Sequence, residues 1–386
     1  MKYLRTNNYL GYIEGYYGNL LNWRDRNSIV LSLKQNNMNA YFYAPKEDLN
    51  HRFDWRKKYS KIWLNKFSHF CLNAKKNKIK IIVGVSPGAD FNFSEIYQKE
   101  KSPKYDLNTL LDKCKILINY GADEIALLFD DIPNVFSKLS KFKNYNEGKS
   151  HGKLVKILSK KLNREIFVVP RIYADELISE NSTYIDDLIL ELNGNSNLFY
   201  CGKFIVNQKF ETDQKKIKCL FDKNKVIYWD NFYANDYCPN KIFLGPYPFD
   251  NMKKSLMFNL TGLINTDKLL IQIINNCLKN KNKIAEWEKT ILKNQIPNSL
   301  IKIVDFFESP TFSFEKKIRK ISIPKNIFKH LDFLLWKWKS PLSREWYNYL
   351  LMLKQDLEIL SNNFNENRIM KLKTYPLQKL LLKRRT

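Results

Sequence analysis

From residue 10 to about 280 the chain switches repeatedly between two hydrophobic periods. Short apolar runs bounded by Gly, Pro, Asn or Asp read as strands buried on both faces. Between them apolar residues recur at three- and four-residue spacing, the pattern of amphipathic helices. Leu10 to Gly18 reads as a strand running into a glycine turn, and Asn22 caps a helix through Met38 with Ile29, Val30 and Leu33 on one face. Asn39 to Pro45 is a strand, and Trp63, Phe67, Phe70, Cys71 and Ala74 predict a helix over 60–76. Lys80 to Val85 is a third strand, followed by a helix from Leu107 to Tyr120 that Gly121 closes. Ile125 to Phe129 is the fourth. The alternation continues with a helix near Lys153 to Leu162, a strand from Glu165 to Tyr173, a helix from Tyr184 to Leu192 and a strand from Leu198 to Val206. A helix from Asp213 to Phe221, strands at Lys225 to Asp230 and Leu256 to Leu260, and a helix from Asp267 to Leu278 complete it. Eight such units predict the α/β class, as a (β/α)8 TIM barrel. An open doubly wound sheet is the alternative, but no Gly-x-Gly-x-x-Gly follows the first strand; Glu14-Gly15-Tyr16-Tyr17-Gly18 has the wrong spacing and bulky aromatics.

After Asn280 the strand pattern stops. Residues 283 to 366 read as helices separated by Pro297, Pro310, Pro324 and Pro341, the last with Trp346, Leu350, Leu353, Leu357 and Leu360 along one face. This divides the chain into a barrel over 1–280 and an α-helical C-terminal region over 281–386 packed against it. The tail, Lys371 to Thr386, is basic and amphipathic, and reads as a solvated segment laid on the body.

Composition narrows the picture. A 44% hydrophobic share is ample for a core. Sixty-five Lys and Arg against 39 Asp and Glu raise the question of nucleic acid. The basic residues, however, are spread among Asn and Ile with only short clusters, so no nucleic-acid partner is expected. Six cysteines without a Cys-x-x-Cys fit free thiols in a reducing compartment, and four scattered histidines have no metal-ligand spacing. No apolar run approaches the ~20 residues of a membrane span, and Met1 to Tyr9 lacks the apolar segment of a signal peptide. A cytoplasmic location is expected.

The fourth apolar run ends in Asp130 and Asp131, then Pro133. Burying one carboxylate is costly and a second beside it adds repulsion, so a purely structural role explains the pair poorly. Two acids past the carboxyl end of a barrel strand suit a catalytic site; an Asx turn or helix cap is the bland alternative. The other strand ends deliver Gly15, Lys46, Tyr173, Trp229-Asp230-Asn231, Ala234-Asn235-Asp236 and Asn259. Singly, each has a structural explanation: Trp229 in the core, Lys46 in an ion pair, Asn231 and Asn259 in turns, Tyr173 half-buried on its strand. Together they form a ring of acids, amides and a lysine among aromatic rings, the mixture a carbohydrate site needs. Phosphate sites would carry more Arg and glycine-rich loops, metal sites more His.

At these residues the chain resembles glycoside hydrolase family eighty-four, the β-N-acetylglucosaminidases that include protein O-GlcNAcases and hyaluronidase-like enzymes. The matching pieces are Glu14-Gly-Tyr-Tyr-Gly18, Tyr43-Ala-Pro-Lys46 with His51-Arg52 and Trp55-Arg56, Ser86-Pro-Gly88, Phe129-Asp-Asp-Ile132, Trp229-Asp-Asn231, Ala234-Asn-Asp236 and Leu244-Gly-Pro-Tyr247. The resemblance implies a retaining exo-hydrolase of terminal β-linked GlcNAc using no metal or organic cofactor, its aglycone being a glycoprotein such as an O-GlcNAc protein, a cell-wall fragment or a free oligosaccharide. In its substrate-assisted reaction the substrate's own 2-acetamido oxygen attacks the anomeric carbon and forms an oxazoline. Asp130 would orient the acetamide through its N–H, and Asp131 would protonate the leaving oxygen and then activate water. Ionised Asp130 would keep its neighbour protonated. Asn231 would hold the acetamide, Tyr173 and Trp229 would wall the acetyl pocket, and Gly15, Lys46, Asp236 and Asn259 would bind ring hydroxyls. Three places depart from the family pattern: Arg171-Ile172 where Thr-Glu is usual, Tyr200-Cys201-Gly202 where Trp-Thr-Gly is common, and Asn259 without a following proline. An inactive GlcNAc-binding barrel is the rival reading, and a basic nucleic-acid-binding protein a more distant one.

Overall fold

Each apolar run becomes a strand buried on both faces, and pairing the last with the first leaves no exposed sheet edge. In the computed structural model, which describes residues 8–361 apart from 99–102, 134–135, 137–144, 193, 195, 251–253 and 309–322, eight strands close a barrel in chain order. They are β1 Leu10–Glu14, β2 Ala40–Tyr43, β3 Lys80–Val85, β4 Glu124–Leu128, β5 Ile166–Val169, β6 Leu198–Tyr200, β7 Val226–Asp230 and β8 Leu256–Asn259. All neighbours are parallel, and β1 meets β8 from Leu10↔Leu256 to Ile13↔Asn259. This is the expected TIM barrel. Strand alternation divides the core in two. Ile13, Phe42, Ile82, Leu128, Phe167, Phe199, Ile227 and Met257 fill the barrel interior, while their neighbours Tyr12, Tyr41, Ile81, Leu127 and Tyr228 face the helices.

The helices among the described residues of the barrel are α1 Trp23–Gln35, α2 Lys61–Lys76, α3 Tyr105–Asn119, α4 Glu147–Leu162, α5 Tyr184–Leu192, α6 Lys215–Asp222 and α7 Ile264–Lys279. Asn22 caps α1 by accepting from the Asp25 amide at 2.9 Å, as its position predicts. Strand β5 ends at Val169 rather than Tyr173 and α1 at Gln35 rather than Met38, and two further boundaries differ for reasons the packing shows. Helix α4 begins six residues before Lys153, because Asn146 caps it and its glycines serve packing. A Cβ on Gly148 would lie 2.3 Å from the Tyr184 carbonyl oxygen and one on Gly152 2.7 Å from the Glu191 Cβ, so these glycines let α4 lie close against α5. Strand β6 stops at Tyr200 rather than Val206, where Gly202 takes φ +105° against the Glu211 backbone.

Beyond the barrel lie α8 Lys283–Lys293, α9 Asn298–Ile301, α10 Ile327–Asp332 with a π turn at Phe333–Lys337, and α11 Pro341–Leu360. Pro341 opens α11 at its first position, where its missing N–H costs nothing, and Ser340 caps it. Trp346, Leu350 and Leu357 are buried and Leu353 half-buried, but Leu360 is exposed, so the apolar face ends before the helix does. The region is fastened to the barrel by specific bonds. Glu345 accepts from the Asn265 and Thr266 amides at the start of α7, Trp346 donates to the Thr266 hydroxyl, and Trp287 donates to the Leu244 carbonyl. Pro310 and the basic tail Lys371 to Thr386 lie outside the described residues. Among the described residues no helix is long and apolar enough to cross a membrane.

Candidate active site

Parallel strands of one barrel all point their carboxyl ends at the same mouth, so residues distant in sequence converge there. Gly15, Lys46, Asp130, Asp131, Tyr173, Trp229, Asn231, Asp236 and Asn259 all line one cavity of about 690 Å³. Every residue given a site role is therefore brought together, whereas Asp230 turns to the Tyr247 hydroxyl and the Phe232 amide and Asn235 to the Lys241 carbonyl, outside the cavity lining. Val169, Phe199, Ile205 and Val206 add an apolar wall, and Tyr17, Glu176 and Tyr237 also line the cavity.

The acid pair sits just past β4. The Phe129 amide still bonds the Val169 carbonyl (2.8 Å), and its ring stacks on His151 at 3.9 Å. His151 is fixed by the Tyr184 hydroxyl (2.9 Å), which in turn accepts from the Arg171 amide. That buried cluster holds the base of the pair. Asp130 is buried, with Oδ2 paired to the Lys46 ammonium and Oδ1 without a hydrogen-bond partner. Asp131 takes φ +53°, a left-handed conformation that strains a non-glycine residue and that Asp tolerates better than most. Its side chain, 31% exposed, receives Tyr173 Oη on Oδ1 (2.8 Å) and Tyr17 Oη on Oδ2 (3.1 Å), with Lys46 Nζ 3.5 Å from Oδ2.

These contacts set the charges. Burial pushes the Asp130 carboxyl above the usual range, against the pull of Lys46. Burial acts on Asp131 too, but there Lys46 and the Tyr173 and Tyr17 hydroxyls outweigh it and hold the carboxyl below the usual range. Burial opposes the charge on Lys46, and both carboxylates together outweigh that, so the ammonium persists. The two shifts thus run opposite to those that adjacency alone suggests, the Asp130 carboxyl being pushed up and the Asp131 carboxyl held down. The reason is the placement of three donors on Asp131, which the linear order of residues does not reveal.

On the opposite side, Asn231 Oδ1 accepts from Trp229 Nε1 (2.8 Å) and Asn259 Nδ2 (3.0 Å), while its Nδ2 donates to the Ile205 carbonyl (3.0 Å). Two donors on one oxygen fix which end of the amide is which. The second Nδ2 hydrogen faces only the Cys201 sulfur at 3.5 Å, a weak acceptor. Asn259 Oδ1 accepts the Gly15 amide at 3.2 Å, which leaves Gly15 its carbonyl to offer a ligand. A Cβ on Gly15 would stand 2.7 Å from the Trp229 ring, so glycine is required for that wall to close. Asp236 accepts one backbone N–H on each oxygen, from Tyr17 and Tyr237 (both 3.0 Å), and keeps spare lone pairs on both.

Of the departures, Arg171 turns outward into a two-pronged pair with Glu147 (2.5 and 2.7 Å), and Ile172 is buried in the core. Only Cys201 touches the site, through Asn231. Sequence reasoning passed over Tyr17, Arg52 and Glu176. The first two lie inside matched motifs, which was the available signal. Glu176, in a 3-10 turn after β5 and exposed, carried none.

A family model described as beta-N-acetylglucosaminidase matches residues 10–267. The protein O-GlcNAcases of Mus musculus and Rattus norvegicus are 28% and 27% identical to this chain, each over 242 residues that make up 61% of it. The chain spans only 26% of the length of either relative. A solved O-GlcNAc hydrolase mutant of Thermobaculum terrenum superposes with a TM-score of 0.67 at 22% identity, covering 93% of this chain and 78% of its own, a likeness of fold. With two thirds of its length matched by the family model, across every strand that lines the cavity, the chain belongs to the β-N-acetylglucosaminidase family of glycoside hydrolases, family eighty-four.

Proposed function

We propose that this protein is a retaining exo-β-N-acetylglucosaminidase that removes terminal β-linked GlcNAc by substrate assistance, O-GlcNAc proteins being one substrate class. The observation that carries the reading is the Asp130 carboxylate: buried, lining the cavity, and with one oxygen left without a partner beside a second acid. A buried acceptor without a donor is costly, and the substrate acetamide N–H is the donor that would satisfy it. That bond favours ionised Asp130. Its charge then faces Asp131 while the bound sugar covers the remaining exposed part of that side chain. Both effects raise the proton affinity of Asp131 and convert it from the ionised resting state to the acid the reaction needs. After the oxazoline forms, the same carboxylate takes the proton from water. The free hydrogen on Asn231 Nδ2 would exchange the Cys201 sulfur for a ligand oxygen. Trp229 with the apolar wall would enclose the acetyl methyl, and Tyr173 would hold the acid from the other side.

This reading assigns the catalytic machinery to the barrel over 1–280 and a supporting role to the helical region over 281–386. The six cysteines are free, four of them buried, which supports the cytoplasmic location.

The test is a series of aryl β-GlcNAc substrates with acetyl, monofluoroacetyl, difluoroacetyl and trifluoroacetyl groups. Fluorine withdraws charge from the attacking carbonyl, so rates are expected to fall steeply along the series. A flat series, or a glycosyl ester trapped on Glu176, Asp236 or any other carboxylate, would refute substrate assistance. Absence of hydrolysis with intact GlcNAc binding would leave an inactive binding barrel.

Asp236 supplies a second prediction. Held open by two backbone amides, it would accept hydroxyl protons from the non-reducing end and admit only a terminal sugar. Asp236→Ala is expected to cost about 2 to 4 kcal/mol of transition-state binding in kcat/KM. Endo products from an end-capped oligosaccharide with the wild-type protein would contradict the assignment.

A further inference from the structure

Arg52, in the loop after β2, is buried and carries no role in the reaction as described so far. Its neighbour anchors that loop to β3: His51 Nδ1 donates to the Gly84 carbonyl (2.8 Å) and the Ser86 amide donates to the His51 carbonyl (2.8 Å). Gly84 leaves the room, since a Cβ there would stand 2.8 Å from the His51 ring. From this fixed base the guanidinium reaches in two directions. Nη1 donates to the Tyr17 hydroxyl oxygen and Nη2 to the main-chain carbonyl of Asp131, both at 2.6 Å. We propose that Arg52 is a positioning residue for Asp131, acting on its backbone directly and on its carboxylate through Tyr17; the proposal rests on the acid role given to Asp131 above.

The direction of the relay follows from donor counting. Arginine has no acceptor, so the Tyr17 oxygen must accept from it, and the single Tyr17 hydrogen is left to point at Asp131 Oδ2. The second arm tethers the carbonyl of a residue at φ +53°, a conformation that persists only where its surroundings hold it. The Arg52 Nε is buried without an acceptor, a cost that an arginine placed for stability alone would avoid. The charged and titratable groups facing the Asp131 carboxylate are Asp130, Lys46, Tyr17 and Tyr173, with Arg52 behind Tyr17. Arg52 therefore adds positive charge to a group that must gain a proton to act, while keeping that group in place.

The test measures kcat/KM against pH for an alkyl and an activated aryl β-GlcNAc, with Arg52→Met, Arg52→Lys, Tyr17→Phe and the Met–Phe double variant. Activity on the alkyl substrate is lost as pH rises through the Asp131 titration. Removing the cation lets Asp131 keep its proton longer, so in Arg52→Met the alkaline limb is expected to move up by about one pH unit. Lost positioning should lower the alkyl rate roughly 10- to 100-fold, with a much smaller fall on the aryl substrate. Tyr17→Phe should move the limb the same way, and the double variant no further than the larger single shift. Arg52→Lys should restore the limb through its charge but not the alkyl rate, since one ammonium cannot span both acceptors. Equal losses on both substrates with an unmoved limb would overturn the proposal and leave Arg52 a loop anchor. A wild-type protein without glycosidase activity would overturn the functional reading first and the proposal with it. Should Arg52→Met not fold, Arg52→Lys and Tyr17→Phe decide by the same two criteria.

Discussion

Replacing Asp131 by alanine is expected to slow cleavage of alkyl and peptide-linked β-GlcNAc by roughly 10²- to 10⁴-fold, the usual worth of a positioned general acid. A substrate with an activated aryl leaving group should be slowed far less in its first step, because an aryloxide of low basicity departs without a proton. The structural basis is the position of the carboxylate at the mouth of the cavity, 31% exposed and gripped by Tyr173 and Tyr17. Of the two acids it is the more exposed, which suits the proposed contact with both a leaving oxygen and incoming water. Loss of the base role should also slow opening of the oxazoline, so with the aryl substrate a burst of phenolate followed by a slow steady state is expected. Rates for several leaving groups, plotted against the acidity of the departing alcohol, check the assignment. An unchanged slope between wild type and Asp131→Ala would remove Asp131 from the acid role.

The second large effect is expected at Asp130. Its carboxylate is buried, bound to Lys46 on one oxygen and without a partner on the other. On the proposed assignment, Asp130→Ala removes the acceptor for the acetamide N–H, and with it both the orientation and the polarisation of the attacking oxygen. Among the described residues it also leaves the Lys46 ammonium Asp131 as its one carboxylate partner, at 3.5 Å, which favours the charged form of Asp131 further. The two losses compound, and a fall of roughly 10²- to 10³-fold in kcat for the acetyl substrate is expected. The fluoroacetyl series should flatten at the same time, since an unoriented carbonyl no longer transmits its charge to the barrier. Aryl leaving groups should not rescue the rate, in contrast to Asp131→Ala. An Asp130→Ala protein with a wild-type slope along the series would show that the acetamide is oriented by some other group.

The contrast between these two acids also measures how far the linear chain could be read. That both belong to the site was legible: an apolar run with the length of a buried strand ends in two adjacent carboxylates, and few structural roles need both. Trp229, Asn231 and Asn259 were legible for the same reason, as polar or aromatic residues at the ends of apolar runs. The opposite shifts of the two carboxyls were not. They depend on the Lys46 ammonium and two tyrosine hydroxyls arriving at Asp131 from 85, 114 and 42 positions away in the chain. Glu176 was missed because it stands in a short polar turn with no periodicity to mark it. Helix α4 was started late because its glycines resemble breakers, although here they are contact points against α5.

The order and kind of the elements, the closure into a parallel barrel and the end of that barrel at which chemistry collects are all legible in the linear chain. Element type is written in local periodicity and in strand burial on both faces, whereas closure follows from counting eight strand–helix units between residue 10 and about residue 280. Tertiary contacts settle in which direction each carboxyl of the pair is shifted, which oxygen of Asp130 is left open, how Gly15 yields to Trp229, and that Arg52 reaches both Tyr17 and the Asp131 backbone. Those outcomes turn on donor directions and distances of about 3 Å between residues that share no local pattern. Hydrogen-bond direction and charge are set by what closure of the barrel brings face to face.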